Sequence, residues 1–236
     1  MDGVRARAGV YGAIGSSNDT VDNVTSQGNL GSAGTIGMDH YALGAYATTQ
    51  SSSGWYTDSV FQLAQQHMNT SSVNAITLGS TGNSYALSFE AGKRSDLGNN
   101  WQVEPQAQLS WQHQQFDDAA DAASAVHFDG ADSTLIRLGL RFAKQLGTEQ
   151  NKLVAWITPS LVNELGSGTS VRLPSPTQGD VVANVAQGST RLQLVGGIEG
   201  AINKDWTVSG RLSYEKDVQA AAYNQTSLQV GVTYRF

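Results

Sequence analysis

The feature that most constrains this chain is alternation. At 227–236, "SLQVGVTYRF" sets Leu228, Val230, Val232, Tyr234 and Phe236 on one face and Gln229, Gly231, Thr233 and Arg235 on the other. A period of two means a strand with two unlike faces. The pattern recurs upstream. Trp101, Val103, Pro105, Ala107, Leu109 and Trp111 alternate with Gln102, Glu104, Gln106, Gln108, Ser110 and Gln112. Ile136, Leu138, Leu140 and Phe142 oppose Arg137, Gly139 and Arg141. Leu192, Leu194 and Ile198 oppose Arg191, Gln193 and Glu199, and Trp206, Val208, Leu212 and Tyr214 oppose Ser209, Arg211 and Glu215. Tyr85, Leu87 and Phe89 oppose Ser88, Glu90 and Arg94, while Val4, Val10 and Ile14 oppose Arg5, Arg7 and Tyr11. Further strands are expected at 38–48, 54–68 and 151–164.

This gives about ten strands, most of them longer than the five or six residues usual in soluble sheets. They match the roughly 9–11 residues that a tilted strand needs to cross a bilayer. A soluble β-sandwich also alternates, so the pattern alone does not separate the two. Composition does. Charged residues are 14%, against about 25% in ordinary globular proteins. Charge is almost absent from the apolar faces and recurs on the polar ones. Trp55, Trp101, Trp206 and Tyr85 fall near expected strand ends, as interfacial aromatics do. The expected fold is therefore all-β: an antiparallel, up-and-down transmembrane barrel forming one domain over 1–236.

The connections alternate in length. Those at 49–54, 95–100, 146–151 and 203–205 are short, whereas 16–37, 69–83, 117–131, 165–189 and 217–224 are long and rich in Ser, Thr, Gly, Asn and Asp. Bacterial outer-membrane barrels have short periplasmic turns and long extracellular loops. Both ends of this chain then fall on the periplasmic side, as an even strand number requires. The long segments are expected to be solvated surface. The opening "MDGVRARAGV" carries no long apolar run, so a targeting segment is expected to lie outside these residues.

The polar face would line the lumen. Its candidates are Glu90, Arg94, Glu104, Gln106, Arg137 and Arg141 in the first half of the wall, then Arg191, Glu199, Arg211 and Glu215. Mixed signs allow cross-strand pairing in a hydrated wall. Cysteine is absent, which excludes disulfides, Cys-ligated zinc and thiol catalysis here. His40, His67, His113 and His127 are scattered and form no metal or triad pattern. No cofactor or metal is expected. The net charge of −6 and the lack of basic runs argue against nucleic-acid binding.

Three ordered pieces carry a family likeness: Gly44-Ala45-Tyr46 followed by Gly54-Trp55-Tyr56-x-Asp58; Ser88-Phe89-Glu90-Ala91-Gly92; and Glu104-Pro105-Gln106-Ala107-Gln108. With the terminal "GVTYRF", the chain resembles the C-terminal translocator domain of bacterial autotransporters, the type Va, AIDA- and pertactin-like secretion family. The resemblance implies a twelve-stranded outer-membrane barrel, a lumenal segment from its own passenger, and export of that passenger to the cell surface. It also implies partners: outer-membrane lipid, periplasmic chaperones and the barrel-assembly machinery, with Phe236, Tyr234 and Val232 as the assembly signal. Ten strands are seen here, and 4–14 is similar to the family's third. The first two strands and the lumenal helix are expected outside these residues. The rivals are a ten-stranded protease of the omptin type, with His40 and Asp39 or His127 and Asp129 in its site, and a passive porin or adhesin. An arginine at Leu138, Leu194 or Val230 should destabilise the assembled protein by about 2–4 kcal/mol near the midplane. The same change at Gln106 should be mild, and urea unfolding in lipid vesicles measures both.

Overall fold

The structure, a computed structural model, describes residues 3–24, 30–74, 76–121, 124–147, 153–166, 168–174, 180–185, 188–218 and 224–234. Its strands are β1 (Val4–Val24), β2 (Leu30–Ser51), β3 (Trp55–Ser72), β4 (Thr77–Lys93), β5 (Ser95–Gly98), β6 (Trp101–Phe116), β7 (Ala119–Ala120), β8 (Ala125–Phe128), β9 (Ala131–Gln145), β10 (Leu153–Gly166), β11 (Thr169–Leu173), β12 (Val181–Val185), β13 (Thr190–Ala201), β14 (Trp206–Asp217) and β15 (Asn224–Tyr234). The main sheet runs in chain order through β1, β2, β3, β4, β6, β9, β10, β13, β14 and β15, and β5 adds to β6. All its pairings are antiparallel, as the long alternating runs and short turns require. Among the described residues β1 and β15 are not bonded to each other, so the sheet is curled but open.

Burial is inverted relative to a soluble protein. The buried side chains include Glu104 at 4% exposure, Thr158 at 3% and Gln66 at 5%, while Leu138 is 56% exposed and Val230 70%. Large apolar residues stand outward on strand after strand, including Val10, Leu43, Leu87, Leu109 and Leu194. An exposed apolar face this extensive needs an apolar neighbour, and a lipid bilayer supplies one.

The first strands exceed expectation. β1 and β2 stay paired from Val4↔Ser51 to Val24↔Leu30, with one register shift at Val21/Asp22. At about 3.4 Å per residue they are roughly 70 Å long, well beyond a bilayer crossing. Residues 16–24, 30–37, 69–72 and 77–83, expected in loops, are therefore strand. Beyond the lipid neither face has to be apolar, so alternation fades while the backbone ladder continues. The segments 117–131 and 165–189 are not simply solvated loops either. They supply β7, β8, β11 and β12, which form a second sheet ordered β12-β11-β8-β7. Val126 is buried within it at 5% exposure. Hydrogen bonds from His127 and from the Phe128 amide hold the Asp118 carboxyl below its usual range.

The opposite rim is made of tight turns. Asn99 and Asn100 both have positive φ, 52° and 63°, and join β5 to β6 with two residues between Gly98 and Trp101. That is the type I′ geometry, which Asn tolerates. Between β13 and β14, Asn203 Oδ1 accepts from the amides of Asp205 and Trp206 at 2.9 and 3.0 Å.

Inside the curl, aromatic rings lie over glycines of the neighbouring strand. Tyr11 faces Gly44, Tyr46 faces Gly9, Tyr56 faces Gly92 and Trp156 faces Gly197. A ring covers the bare backbone and locks the register of the pair. A Cβ on Gly92 would lie 2.5 Å from the Tyr56 ring, whereas one on Gly12 would meet nothing closer than 3.8 Å. Gly92→Ala is expected to cost about 1–3 kcal/mol through forced displacement of the ring. Gly12→Ala should be near neutral, and equal effects in urea unfolding would refute the interlock.

Candidate functional site

The inner face of the sheet is built by residues that share rows across the strands. One row runs Arg7, Thr48, Asp58, Glu90, Gln108, Arg137, Val162, Arg191 and Asp217 by successive backbone pairing. Asp58 and Glu90 stand directly opposite each other, an arrangement that repels when both are charged. Each has a donor on its other side. Thr48 donates to Asp58, and Arg137 forms an ion pair with Glu90. Tyr56 Oη adds a hydrogen bond to Glu90 at 2.7 Å. Arg137 Nε also donates to Gln108 at 2.8 Å, and Gln108 donates to Ser88 at 2.8 Å.

A second cluster surrounds Glu104. Arg94 Nε donates to it at 3.0 Å and Gln106 Nε2 at 2.7 Å, with Arg141 Nη1 at 4.0 Å. The Arg141 guanidinium lies 4.7 Å from the Trp156 ring centre, within cation–π range. The third cluster joins β10, β13 and β14. Arg191 reaches Glu164 at 2.6 Å and Glu215 at 3.4 Å, while Ser133 donates to Glu164 at 2.7 Å. Glu164 was not singled out from sequence, although it follows the alternation of β10 with Thr158, Ser160 and Val162. The apolar Val162 and Val195, each 2% exposed, also face inward among these groups.

The structure brings together eight of the ten expected lumenal residues in these clusters: Glu90, Arg94, Glu104, Gln106, Arg137, Arg141, Arg191 and Glu215. Glu199 and Arg211 share the inner face but join no close ion pair among the described residues. Trp55, Trp101 and Trp206 open β3, β6 and β14 on the short-turn rim, facing outward. Lys93 and Lys144 lie over the first two rings, at 5.7 and 4.9 Å, and Tyr234 packs 4.8 Å from Trp206. Tyr85 does not sit near a strand end as expected. It lies mid-way along β4, because β4 continues past it, and stacks on His113 at 4.9 Å and near Trp111 at 5.6 Å. Ten residues separate Trp101 from Trp111 on one strand, a height of roughly 25 Å once tilted, which is the depth of an apolar band. Val232 is outward on β15, and Phe236 lies outside the described residues.

The protease pairings do not assemble. Asp39 and His40 are consecutive on β2 and so point to opposite faces. His127 bonds Asp118 at 2.6 Å, while Asp129 accepts from Ser170 instead.

Residues 3–214 match the family described as Autotransporter beta-domain. The chain belongs to that family. This autotransporter β-domain is 28% identical over 178 residues to the BrkA autotransporter of Bordetella pertussis, covering 73% of this chain and 17% of that protein. It is 26% identical over 151 residues to the probable autotransporter YcgV of Escherichia coli, covering 61% and 16%. It thus spans about a sixth of the length of these curated relatives. The solved β domain of Bordetella BrkA superposes with a TM-score of 0.72 at 21% identity, covering 100% of this chain and 87% of that one. The translocator domain of NalP from Neisseria meningitidis gives 0.62 at 17%, covering 98% and 86%. The fold is that of outer-membrane autotransporter barrels. In this β-domain Arg137→Met leaves Tyr56 as the remaining hydrogen-bond donor to Glu90 among the described residues, and is expected to cost about 1–3 kcal/mol. Arg211→Met should stay within about 0.5 kcal/mol; urea unfolding in vesicles distinguishes them.

Proposed function

We propose that this β-domain anchors an autotransporter in the outer membrane and provides the conduit through which its own passenger reaches the cell surface. The observation that carries this reading is the inverted sheet: an apolar outer face around an inner face of hydrogen-bonded Arg, Glu and Gln, in a chain of this family. Hydrated polar groups with few apolar contacts let a polypeptide slide past without being held tightly. No bond is made or broken in the part of the protein seen here.

In this reading the short-turn rim is periplasmic, with both ends of the chain. Trp55, Trp101 and Trp206 sit at that interface, and Tyr85 with Trp111 at the outer one, their rings at headgroup depth. The extended β1–β2 hairpin and the second sheet stand outside the cell. Outward Val232 and Tyr234, with Phe236, form the signal read by the barrel-assembly machinery after delivery by periplasmic chaperones. A reporter joined upstream of residue 1 should become accessible to protease on intact cells. Deleting Phe236 should lower both that accessibility and the heat-modifiable, membrane-assembled form. Undiminished assembly after the deletion would remove Phe236 from the signal; an assembled barrel that leaves the reporter inside would overturn the conduit.

A further inference from the structure

The outer face treats its two rims differently. At the short-turn rim, two tryptophans each carry a lysine from the next strand. Trp55, which opens β3, is in register with Lys93 at the end of β4, and Lys93 Nζ lies 5.7 Å from its ring centre. Trp101, which opens β6, is in register with Lys144 near the end of β9, and Lys144 Nζ lies 4.9 Å from its ring centre. Alternation puts all four side chains on the outer face, among Ala91, Val103, Pro105 and Phe142. Neither ammonium has a carboxylate within 4.0 Å among the described residues. The acids at this end of the strands, Asp58, Glu90 and Glu104, belong to the inner face and are bonded there. Asp132, the outward carboxylate of β9, lies twelve residues from Lys144, roughly 40 Å along the strand. All four strands are interior to the sheet, so these surroundings do not depend on its edges. At the long-loop rim the pattern changes. Tyr85 stacks on His113, which meets Asp132 at 3.1 Å, and Tyr41 lies edge-on to His67, which is in register with Asp39. The basic group beside each of those rings faces an acid; Lys93 and Lys144 face none.

We propose that Trp55 with Lys93, and Trp101 with Lys144, are two headgroup sites for anionic phospholipid in the leaflet at the short-turn rim. A lysine held over a ring keeps its position and turns its N–H donors to the side away from the ring. At headgroup depth that side meets lipid phosphates, which attract each nearby lysine. The acyl chains then run along outward apolar residues of the same strands, Phe89 on β4 and Leu140 on β9. The sites are separate. By register the two lysines stand two strand spacings and four residues apart, roughly 17 Å, too far for one phosphate to bridge. The inference rests on the membrane depth given to the tryptophans above, and does not require that the lumen conduct anything.

The test uses the full protein, purified from outer membranes and placed in phosphatidylcholine vesicles. These carry a trace of photoactivatable phosphatidylglycerol or, separately, photoactivatable phosphatidylcholine, each with its reactive group in the head. Labelled peptides are then mapped by mass spectrometry. Peptides holding Trp55 and Lys93, and those holding Trp101 and Lys144, should take the anionic label about fivefold over the zwitterionic one. The preference should shrink as salt is raised. Lys93→Gln and Lys144→Gln should each bring their own site to parity and leave the other intact, while Lys→Arg at either position should retain the preference. Lys216, outward near the opposite end of β14 and in register with Leu192, is the control, and Lys216→Gln should change neither site. Heat modifiability shows that each variant is assembled. Equal labelling by the two lipids, a preference that survives the Gln changes, or the same preference around Tyr85 and Trp111 would overturn the sites while leaving the membrane depth of the tryptophans standing. Absence of both labels from the Trp55 and Trp101 peptides, with labelling elsewhere, would overturn that depth and the sites with it.

Discussion

The rest of this structure depends on where backbone polar groups can find partners when no water is present. Inside a bilayer each N–H and C=O must be satisfied by the protein, and strands do this only by bonding to neighbours on both sides. That requirement explains the long uninterrupted strands, their antiparallel order and the tight turns at one rim. It also separates the two side-chain environments completely. One face must be acceptable to hydrocarbon, and the other becomes the only place where Arg, Glu and Gln can go. The outward Leu138 and the inward Arg137 are neighbours in sequence and live in opposite solvents.

The same constraint gives meaning to the three family-like pieces. They lie apart in sequence, but pairing places them side by side on the inner wall. Tyr46 covers Gly9, Tyr56 covers Gly92 and donates to Glu90, Asp58 faces Glu90, and Gln108 is bonded to Arg137. Glu104 and Gln106 form the next cluster with Arg94 and Arg141. These pieces are cross-sections of one polar network. A change in any of them therefore acts through its neighbours on the next strand, and an Arg–Glu contact holds the curl of the wall as well as lining it. The network leaves a polar inner face whose charges are largely satisfied by one another among the described residues.

The sequence alone determined the ten strands that succeed one another across the main sheet, the face of nearly every residue in them, the short-turn rim and the family. The first three follow from local rules: a period of two, Gly and Asn at turns, and the scarcity of charge on apolar faces; the family came from the resemblance of three ordered motifs. It under-read 16–37 and 69–83, because above the lipid Ser, Thr and Gly satisfy either face and the alternation loses contrast. It missed the second sheet, whose short strands draw their pairing from segments about forty residues apart. Tyr85 was placed near a strand end because 69–83 read as a loop, whereas β4 begins at Thr77. Only tertiary pairing decided which groups meet: that Arg191 bridges Glu164 and Glu215, and that His127 takes Asp118 and not Asp129. Alternation fixes a residue's face, but its neighbours across the sheet depend on register, which the whole set of strands sets together.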